Sequence, residues 1–305
     1  MIEVIKVGPL DMVMDLGRPG LRAQGVPEGG AADSPALVLA NRLVGNPDGA
    51  AGLEILLRGP VLRFPLGGTV ALTGAEMQTR CNGAPVPFGQ TWAIPPGGEL
   101  EMGGARRGLR AYLAVAGGVA AAPAMGSRAT FLPGGFGGWQ GRALRAGDRL
   151  PVGAAECRRN GVLHFDGHEK NVLRILPGPQ LGGFKDAALK RVTAGDFRVS
   201  ADANRQGLRL SGAELGYTGS ELASQAVLPG AIQVPPDGRP IILGWDGPVT
   251  GGYPVIASVI AADLPRLAQL RPGESLRFSF VTVEEAQAAW RRQRQRMEEA
   301  IAWDA

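Results

Sequence analysis

The side chains best placed for chemistry in this 305-residue chain are amides, carboxylates and arginines gathered around glycine turns. Asp15-Leu16-Gly17-Arg18 sets an acid and an arginine on either side of a glycine. An arginine fork suits a carboxylate, and the aspartate can orient it or bind a substrate N–H; the same pair can equally be a salt bridge that holds a loop. Asn204-Arg205-Gln206-Gly207 is a second polar turn with an arginine. Residues 231–234 and 241–243 are short β-prone runs, and Pro235-Pro236-Asp237-Gly238 between them is turn chemistry. Gln233 and Asp246 flank that hairpin, and Thr250-Gly251-Gly252-Tyr253-Pro254 follows as a corner whose backbone N–H groups can face a ligand. Asp33 reads as a helix cap or first-turn acid. Glu54, between Leu53 and Ile55 on an expected strand, points away from the apolar side, into solvent or a barrel interior. Taken together these groups suggest a polar pocket for a small amide or carboxylate.

Other chemistries are poorly supplied. His164 and His168 have i, i+4 spacing, but Gly167 lies between them and no third ligand is near, so a surface loop is expected rather than a metal site. There is no G-x-S-x-G elbow. Residues 134–141 are glycine-rich, yet a dinucleotide fingerprint would require glycine where Gln140 stands; a flexible hairpin is expected, with Phe136 and Trp139 as the alternative walls of a pocket. No Walker A pattern and no biotinyl-lysine motif occurs.

The elements that must position these groups are mostly short strands between glycine or proline turns. Residues 61–64, 173–176 and 276–280 alternate apolar and polar. Pro96-Gly97-Gly98-Glu99-Leu100, Ala146-Gly147-Asp148-Arg149-Leu150 and Pro272-Gly273-Glu274-Ser275-Leu276 each set a glycine turn and an acid before a strand. Helices are few. Ser34 as N-cap and Pro35 at the first helical position start one that ends at Gly45, and 263–270 forms a short one capped by Asp263. Thr282-Val283-Glu284-Glu285 is a capping box for a C-terminal helix with an apolar stripe of Ala286, Trp290, Met297 and Ile301. The expected organisation is a β-rich half over 1–150, a connection over 151–171, a second β-rich half over 172–282, and a helix over 283–305. The fold class is mainly β, with closed or nearly closed barrels.

Composition narrows the partners. The net charge is +4, and the arginines are spread along the chain, so no nucleic-acid footprint is expected. The one dense basic run, around 290–296, reads as a solvated helix face. Glu3, Lys6 and Asp11 interrupt any signal-peptide core, and the uncharged runs 111–127 and 247–262 fall short of the ~20 residues of a membrane span. Cys81 and Cys157 suit neither a disulfide framework nor a metal site, and a reduced, cytoplasmic protein is expected.

A family resemblance runs through the chain in order and spacing. It is carried by Val7-Gly8-Pro9-Leu10, Asp15-Leu16-Gly17-Arg18-Pro19-Gly20, Leu39-Ala40-Asn41-Arg42-Leu43-Val44-Gly45-Asn46-Pro47, Leu53-Glu54-Ile55 and Leu72-Thr73-Gly74-Ala75. It continues through residues 111–118, Leu176-Pro177-Gly178-Pro179-Gln180, residues 227–254 and Ala262-Asp263-Leu264-Pro265-Arg266. On these motifs the chain resembles the C subunits of bacterial 5-oxoprolinases, a family related to the carboxyltransferase part of urea amidolyase. The resemblance implies a cyclophilin-like β-barrel architecture in two β-rich halves. The family's usual D-R-Q-T-T-G-G-Y-P-K is here Asp246-Gly247-Pro248-Val249-Thr250-Gly251-Gly252-Tyr253-Pro254-Val255, so an arginine, a glutamine, a threonine and a lysine are replaced at one corner.

What the resemblance implies is one component of an ATP-dependent complex that opens 5-oxoproline to glutamate, with partners like the A and B subunits of that enzyme. Hydrolysis of an unactivated lactam needs the amide activated by phosphorylation and a pocket for the oxyanion. Arg18 is then assigned to the substrate carboxylate, Asp15 and Asp246 to water or the lactam N–H, and the Gly251 and Gly252 N–H groups to the oxyanion. Asp33, Glu54, Asn204, Arg205, Gln233, Thr250 and Tyr253 complete the substrate-binding set. No cofactor is expected on this chain alone; ATP belongs to the complex. Two alternatives stand beside this: a carboxyltransferase subunit passing a carboxyl group from biotin to a urea-like acceptor, and a regulatory binding subunit without chemistry.

Overall fold

The computed structural model describes residues 1–154, 160–164 and 172–304. The chain divides into two units, each built from separate stretches. The first comprises Met1–Arg18, Gly29–Gly167 and Gln295–Ala305; the second comprises Pro19–Glu28 and His168–Arg294. Of the connection expected over 151–171, residues 155–159 and 165–171 lie outside the described residues, Cys157 and His168 among them. The excursion of Pro19–Glu28 into the second unit has no signature in hydrophobic periodicity. Among the described residues no helix is long and apolar enough to cross a membrane.

The first unit is a nine-stranded antiparallel sheet. Its strands are Ile2–Lys6 (β1), Asp11–Met14 (β2), Gly52–Leu56 (β3), Val61–Phe64 (β4), Gly68–Cys81 (β5), Ala84–Pro85 (β6), Thr91–Ile94 (β7), Gly98–Val115 (β8) and Arg149–Leu150 (β9). A tenth, Gly161–Leu163 (β10), pairs separately with the terminal strand Ile301–Trp303. The long partners β5 and β8 change register around Gly74, Glu76 and Met77. Gly74 has φ +77°, and a Cβ there would lie 2.6 Å from the Arg110 carbonyl, so glycine lets the pair bend. Bending allows β8 to pair with β3 through 110–113 and with β4 through 98–101.

One sheet face buries Leu53, Ile55, Leu62, Phe64, Leu72, Leu100 and Leu113, each worth about 1.5–3 kcal/mol on removal from water. Helix α1 (Ser34–Leu43) lies on β5 and β8, its Leu37 clustered with Met12, Met14 and Tyr112 and its Leu43 with Ala71 and Ala114. The cap is Asp33 rather than Ser34: its carboxylate accepts from Ala36 N at 3.1 Å. Gly45 takes φ +75° just beyond the helix.

The second unit contains a closed barrel. Its strands are Val172–Pro177 (β11), Phe197–Val199 (β12), Gly207–Ser211 (β13), Ala231–Gln233 (β15), Ile241–Leu243 (β16), Val255–Val259 (β18) and Ser275–Phe280 (β19). The order is β11-β18-β15-β16-β13-β12-β19, closed by parallel pairing of β19 with β11. Gln225–Ala226 (β14) and Thr250–Gly251 (β17) form a short ribbon of their own. Closure leaves the barrel strands no open edge. Leu173, Ile175, Phe197, Leu208, Ile232, Ile242, Ile256, Leu276 and Phe278 belong to its apolar core. The expected mainly β architecture of two β-rich units with few helices is what the chain adopts.

Asp186–Ala194 (α2), Leu264–Gln269 (α3) and Val283–Glu299 (α4) complete the helices. Asp263 precedes α3 but does not cap it. Its buried carboxylate takes three donors from Arg174: N at 2.8, Nε at 3.0 and Nη2 at 2.6 Å. A bidentate charge-assisted pair outcompetes one cap bond. The capping box forms, with Thr282 N donating to Glu285 Oε2 at 2.8 Å and Glu285 N to Thr282 Oγ1 at 3.2 Å. The inner stripe is Ala286, Ala289, Gln293 and Met297, so Ala286 and Met297 of the expected stripe lie on it and Trp290 and Ile301 do not. Trp290 is 45% exposed with the Arg294 guanidinium 5.1 Å over its ring, and Ile301 belongs to the terminal strand.

Asp11 opens β2 with a buried carboxyl. Gly8 N donates to its Oδ2 at 2.6 Å, whereas Oδ1 meets no donor. Burial pushes its pKa up to about 6, against the lowering effect of the Gly8 bond. The folded chain therefore keeps a proton that the unfolded chain has released, and stability falls as pH rises from about 4 to about 6, by up to ~1.4 kcal/mol per unit. Urea unfolding of the wild type across pH 4–7 is expected to show this decline, and Asp11→Asn to flatten it. A wild-type stability that climbs through that window with the same slope as the variant would contradict the assignment.

Candidate functional site

The polar residues singled out from the sequence form one cluster in each unit. In the first, they hold the loops that flank β2 and α1. Asp15 follows β2, and its carboxylate accepts from Gly17 N at 2.8 Å, Ser127 Oγ at 2.6 Å and Arg128 N at 2.5 Å. Its carbonyl accepts from Ala31 N at 2.8 Å. Loop 29–33 therefore lies directly on loop 15–18. Gly30 permits the approach: with φ +79°, a Cβ would sit 2.6 Å from Gly17 N.

Arg18 is 1% exposed. Its Nη2 donates to the Ala129 carbonyl at 2.5 Å, and its guanidinium carbon lies 5.0 Å over the Phe136 ring. Phe136 belongs to the glycine-rich hairpin that the sequence reads as flexible. The glycines there serve close packing instead. A Cβ on Gly137 would collide with the Ala129 carbonyl, one on Gly138 with Thr130, and one on Gly141 with the Gly135 carbonyl. Trp139 packs against the sheet core.

Glu54 faces neither solvent nor a barrel interior but the layer under α1. At 2% exposure, its Oε2 accepts from Tyr112 Oη at 2.8 Å and Ala32 N at 2.9 Å. Arg110 Nε is 3.5 Å from its Oε1. Asp33 N donates to Tyr112 Oη at 2.7 Å. Burial, then the charges of Glu54 and Asp33, push the Tyr112 phenol well above its ordinary range, so it stays a neutral donor. Asp15, Arg18, Asp33 and Glu54 thus fasten one loop system from beneath.

In the second unit Arg205 and Asp246 form a buried bidentate pair, Nε to Oδ2 at 2.7 Å and Nη2 to Oδ1 at 3.0 Å. Asp246 N donates to the Arg205 carbonyl at 3.0 Å. Asn204 closes the preceding turn, its Oδ1 accepting from Gln206 N at 2.8 Å. The pair ties the turn before β13 to the turn after β16. Beyond it, Thr250, Gly252 and Tyr253 are exposed and Gly251 partly so. Gln233 is buried, its Nε2 3.4 Å from the Tyr253 carbonyl and 2.6 Å from where a Gly251 Cβ would be. Gln180 and Gln225 join the same corner through their carboxamides.

The carboxyltransferase domain profile, subdomain A and B, matches residues 24–280. The chain belongs to this carboxyltransferase family. It is 40% identical to the 5-oxoprolinase C subunit of Escherichia coli over 99% of this chain and 98% of that protein, and 35% identical to that of Haemophilus influenzae over 94% and 93%. The crystal structure of the K. lactis urea amidolyase superposes with TM-score 0.90 at 28% identity, over 98% of this chain but 20% of that one.

Two of the family-motif replacements at the altered corner have a packing cause. A Cβ on Gly247 would lie 2.7 Å from the Gln206 carbonyl and 3.0 Å from that of Gly244, so no side chain fits. Val255 is buried with Val227, Ala231 and Leu243, where a lysine would lose its water. Pro248 is exposed. Sequence reasoning missed the donors Ser127, Tyr112 and Arg110, because nothing in their neighbouring residues marks the carboxylate, distant in sequence, that each one meets. His164 is exposed beside β10, its N donating to the Ala300 carbonyl at 2.8 Å.

Asp15→Ala strands the Ser127 hydroxyl and the Arg128 N–H, and is expected to cost about 1–3 kcal/mol in urea unfolding. Asp246→Ala leaves the Arg205 guanidinium buried without its carboxylate, and a larger loss of ~3–5 kcal/mol is expected from the same measurement. Thr250→Ala, at an exposed position, should stay within about 0.5 kcal/mol of wild type. Equal losses in all three would refute the separation of buried braces from exposed corner.

Proposed function

We propose that this chain is one component of an ATP-dependent complex that opens a cyclic amide, 5-oxoproline, to glutamate, acting with proteins like the A and B subunits of 5-oxoprolinase. The observation that carries the choice is the end-to-end match: the chain covers 98% and 93% of the two 5-oxoprolinase relatives, against 20% of the urea amidolyase. Ring opening breaks the amide C–N bond and adds water across it, and the unactivated amide has to be made electrophilic first. ATP enters as a co-substrate of the complex, since this sequence carries no P-loop.

The division of the site into buried and exposed groups supports a division of roles. Thr250, Gly251, Gly252 and Tyr253 are the groups that reach a ligand, with the glycine N–H groups as the oxyanion donors. In the second unit Asp246, with Asn204 and Arg205, acts on the substrate through the turns that it braces; in the first unit Asp15, Arg18, Asp33 and Glu54 brace a loop system of their own. A second reading, carboxyl transfer from biotin to a urea-like acceptor, is favoured by the family profile and by the urea amidolyase superposition.

The purified chain, alone and combined with homologues of the A and B subunits, is to be assayed for ATP-dependent glutamate release from 5-oxoproline. Release by the three together, none by this chain alone, and indifference to avidin are expected. Inhibition by avidin would turn the assignment to biotin chemistry. Full release by the A and B homologues without this chain would reduce it to a binding subunit.

A further inference from the structure

The second unit holds a pair of carboxamides in an arrangement with a specific chemical meaning. It starts with Gly178-Pro179-Gln180, directly after β11. Gly178 N donates to the Ile256 carbonyl at 2.9 Å, and a Cβ at Gly178 would lie 2.7 Å from the Ile256 carbonyl carbon, so the chain presses flat against β18. Gln180 then continues the β11–β18 ladder with its side chain. Its backbone N donates to the Val255 carbonyl at 3.3 Å, and Val255 N donates to its Oε1 at 2.9 Å. Because Val255 N–H requires an acceptor, the carboxamide is fixed with its oxygen on β18 and its NH₂ directed away.

Gln225 completes the arrangement from β14. Its Nε2 donates to Gln180 Oε1 at 3.0 Å, and its Oε1 accepts from Gln180 Nε2 at 3.1 Å. The two amides form a closed ring of two antiparallel hydrogen bonds. Each must present N–H and C=O on the same edge to do so. A peptide group does not offer that edge, because its bond is trans and its N–H and C=O point in opposite directions. A lactam or a cyclic urea offers it, because the ring forces the amide cis.

We propose that Gln180 carries a recognition edge for a cis amide, and that Gln225 occupies that edge in this structure and is displaced by a lactam or cyclic urea. Both glutamines are partly exposed, so the edge is within reach of a small molecule. Gln225 lies on a two-residue strand in register with Gly251, the glycine against which the Gln233 amide is packed. The edge therefore borders the corner at 250–253. Displacement exchanges two neutral hydrogen bonds for two of the same kind, so affinity comes from the fixed orientation of Gln180, and trans amides are rejected for want of a matching edge. The choice of ligand class rests on the cyclic-amide reading above. Its test is binding to this chain alone, so a complex without ring-opening activity would overturn that reading and leave this result to be judged separately.

The full chain is titrated with 2-pyrrolidinone and with 2-imidazolidinone, and with N-methyl-2-pyrrolidinone as the lactam lacking the N–H, following the glutamine side-chain signals by NMR. Both cis amides are expected to shift the Gln180 and Gln225 NH₂ signals, and the N-methyl lactam to bind about tenfold more weakly or not at all. Gln225→Ala clears the edge and is expected to tighten 2-pyrrolidinone binding several-fold. Gln180→Glu keeps an oxygen for Val255 N–H, and so the fold, but loses the donor; binding should weaken about tenfold with the melting temperature nearly unchanged. Equal binding of the N-methyl lactam, or unaltered 2-pyrrolidinone binding in a folded Gln180→Glu variant, would overturn the proposal.

Discussion

A carboxylate taken out of water has to be met by donors, and much of the local order of this molecule follows from that requirement. Glu54 sits in the layer between sheet and helix because strand alternation turns it away from Leu53 and Ile55. Once there it collects Tyr112, Arg110 and the Ala32 N–H, and through Tyr112 it also fixes the Asp33 N–H. Asp15, Asp246 and Asp263 repeat the pattern with different donors. Each draws two segments distant in sequence to a common point within its own unit, so the segments are held from their undersides.

This has a bearing on how a mainly β scaffold can carry a site. The carboxylates Asp15, Glu54 and Asp246 are sequestered with their donors, whereas the surface at 250–253 presents backbone dipoles, a hydroxyl and a phenol. Groups of that kind suit neutral, polar, planar ligands better than highly charged ones, because an exposed dipole loses little on desolvation and gains direction from the frame behind it. The carboxamide ring of Gln180 and Gln225 extends the same chemistry along one side.

Much of this could be read in the amino-acid sequence, and the remainder has identifiable causes. The strands at 231–233, 241–243 and 275–280, the three glycine–acid turns and the capping box at Thr282 were legible because they depend on neighbours in sequence. The roles of Asp263 and Trp290 were not. Local pattern makes Asp263 a cap, but Arg174, brought alongside by the barrel, offers it a better partner. Helical spacing puts Trp290 on the inner stripe, but the space beneath α4 takes Ala289, and the indole is turned out. The glycines at 137, 138 and 141 suggest mobility by composition, while their function is close packing, against backbone carbonyls at 137 and 141 and against the Thr130 side chain at 138. The candidate residues were found by type. What the sequence concealed was burial, which separates the braces from the groups that can touch a ligand.

The stretch Pro19–Glu28 has a consequence for biogenesis. It belongs to the second unit, and Arg22 within it donates to the carbonyl of Val227, 205 residues later. At ribosomal rates of about 5–20 residues per second, it emerges on the order of 10–40 s before its partner exists. Closing so long a loop is also entropically slow. The first unit's N-terminal strands flank a segment that has to remain unpaired through this interval. Its composition suits waiting: Leu21 and Val26 are its only large apolar residues, and two prolines with two glycines disfavour a sticky extended strand. The second unit is thus committed to fold after synthesis has passed Val227, with an early-made piece held soluble until then.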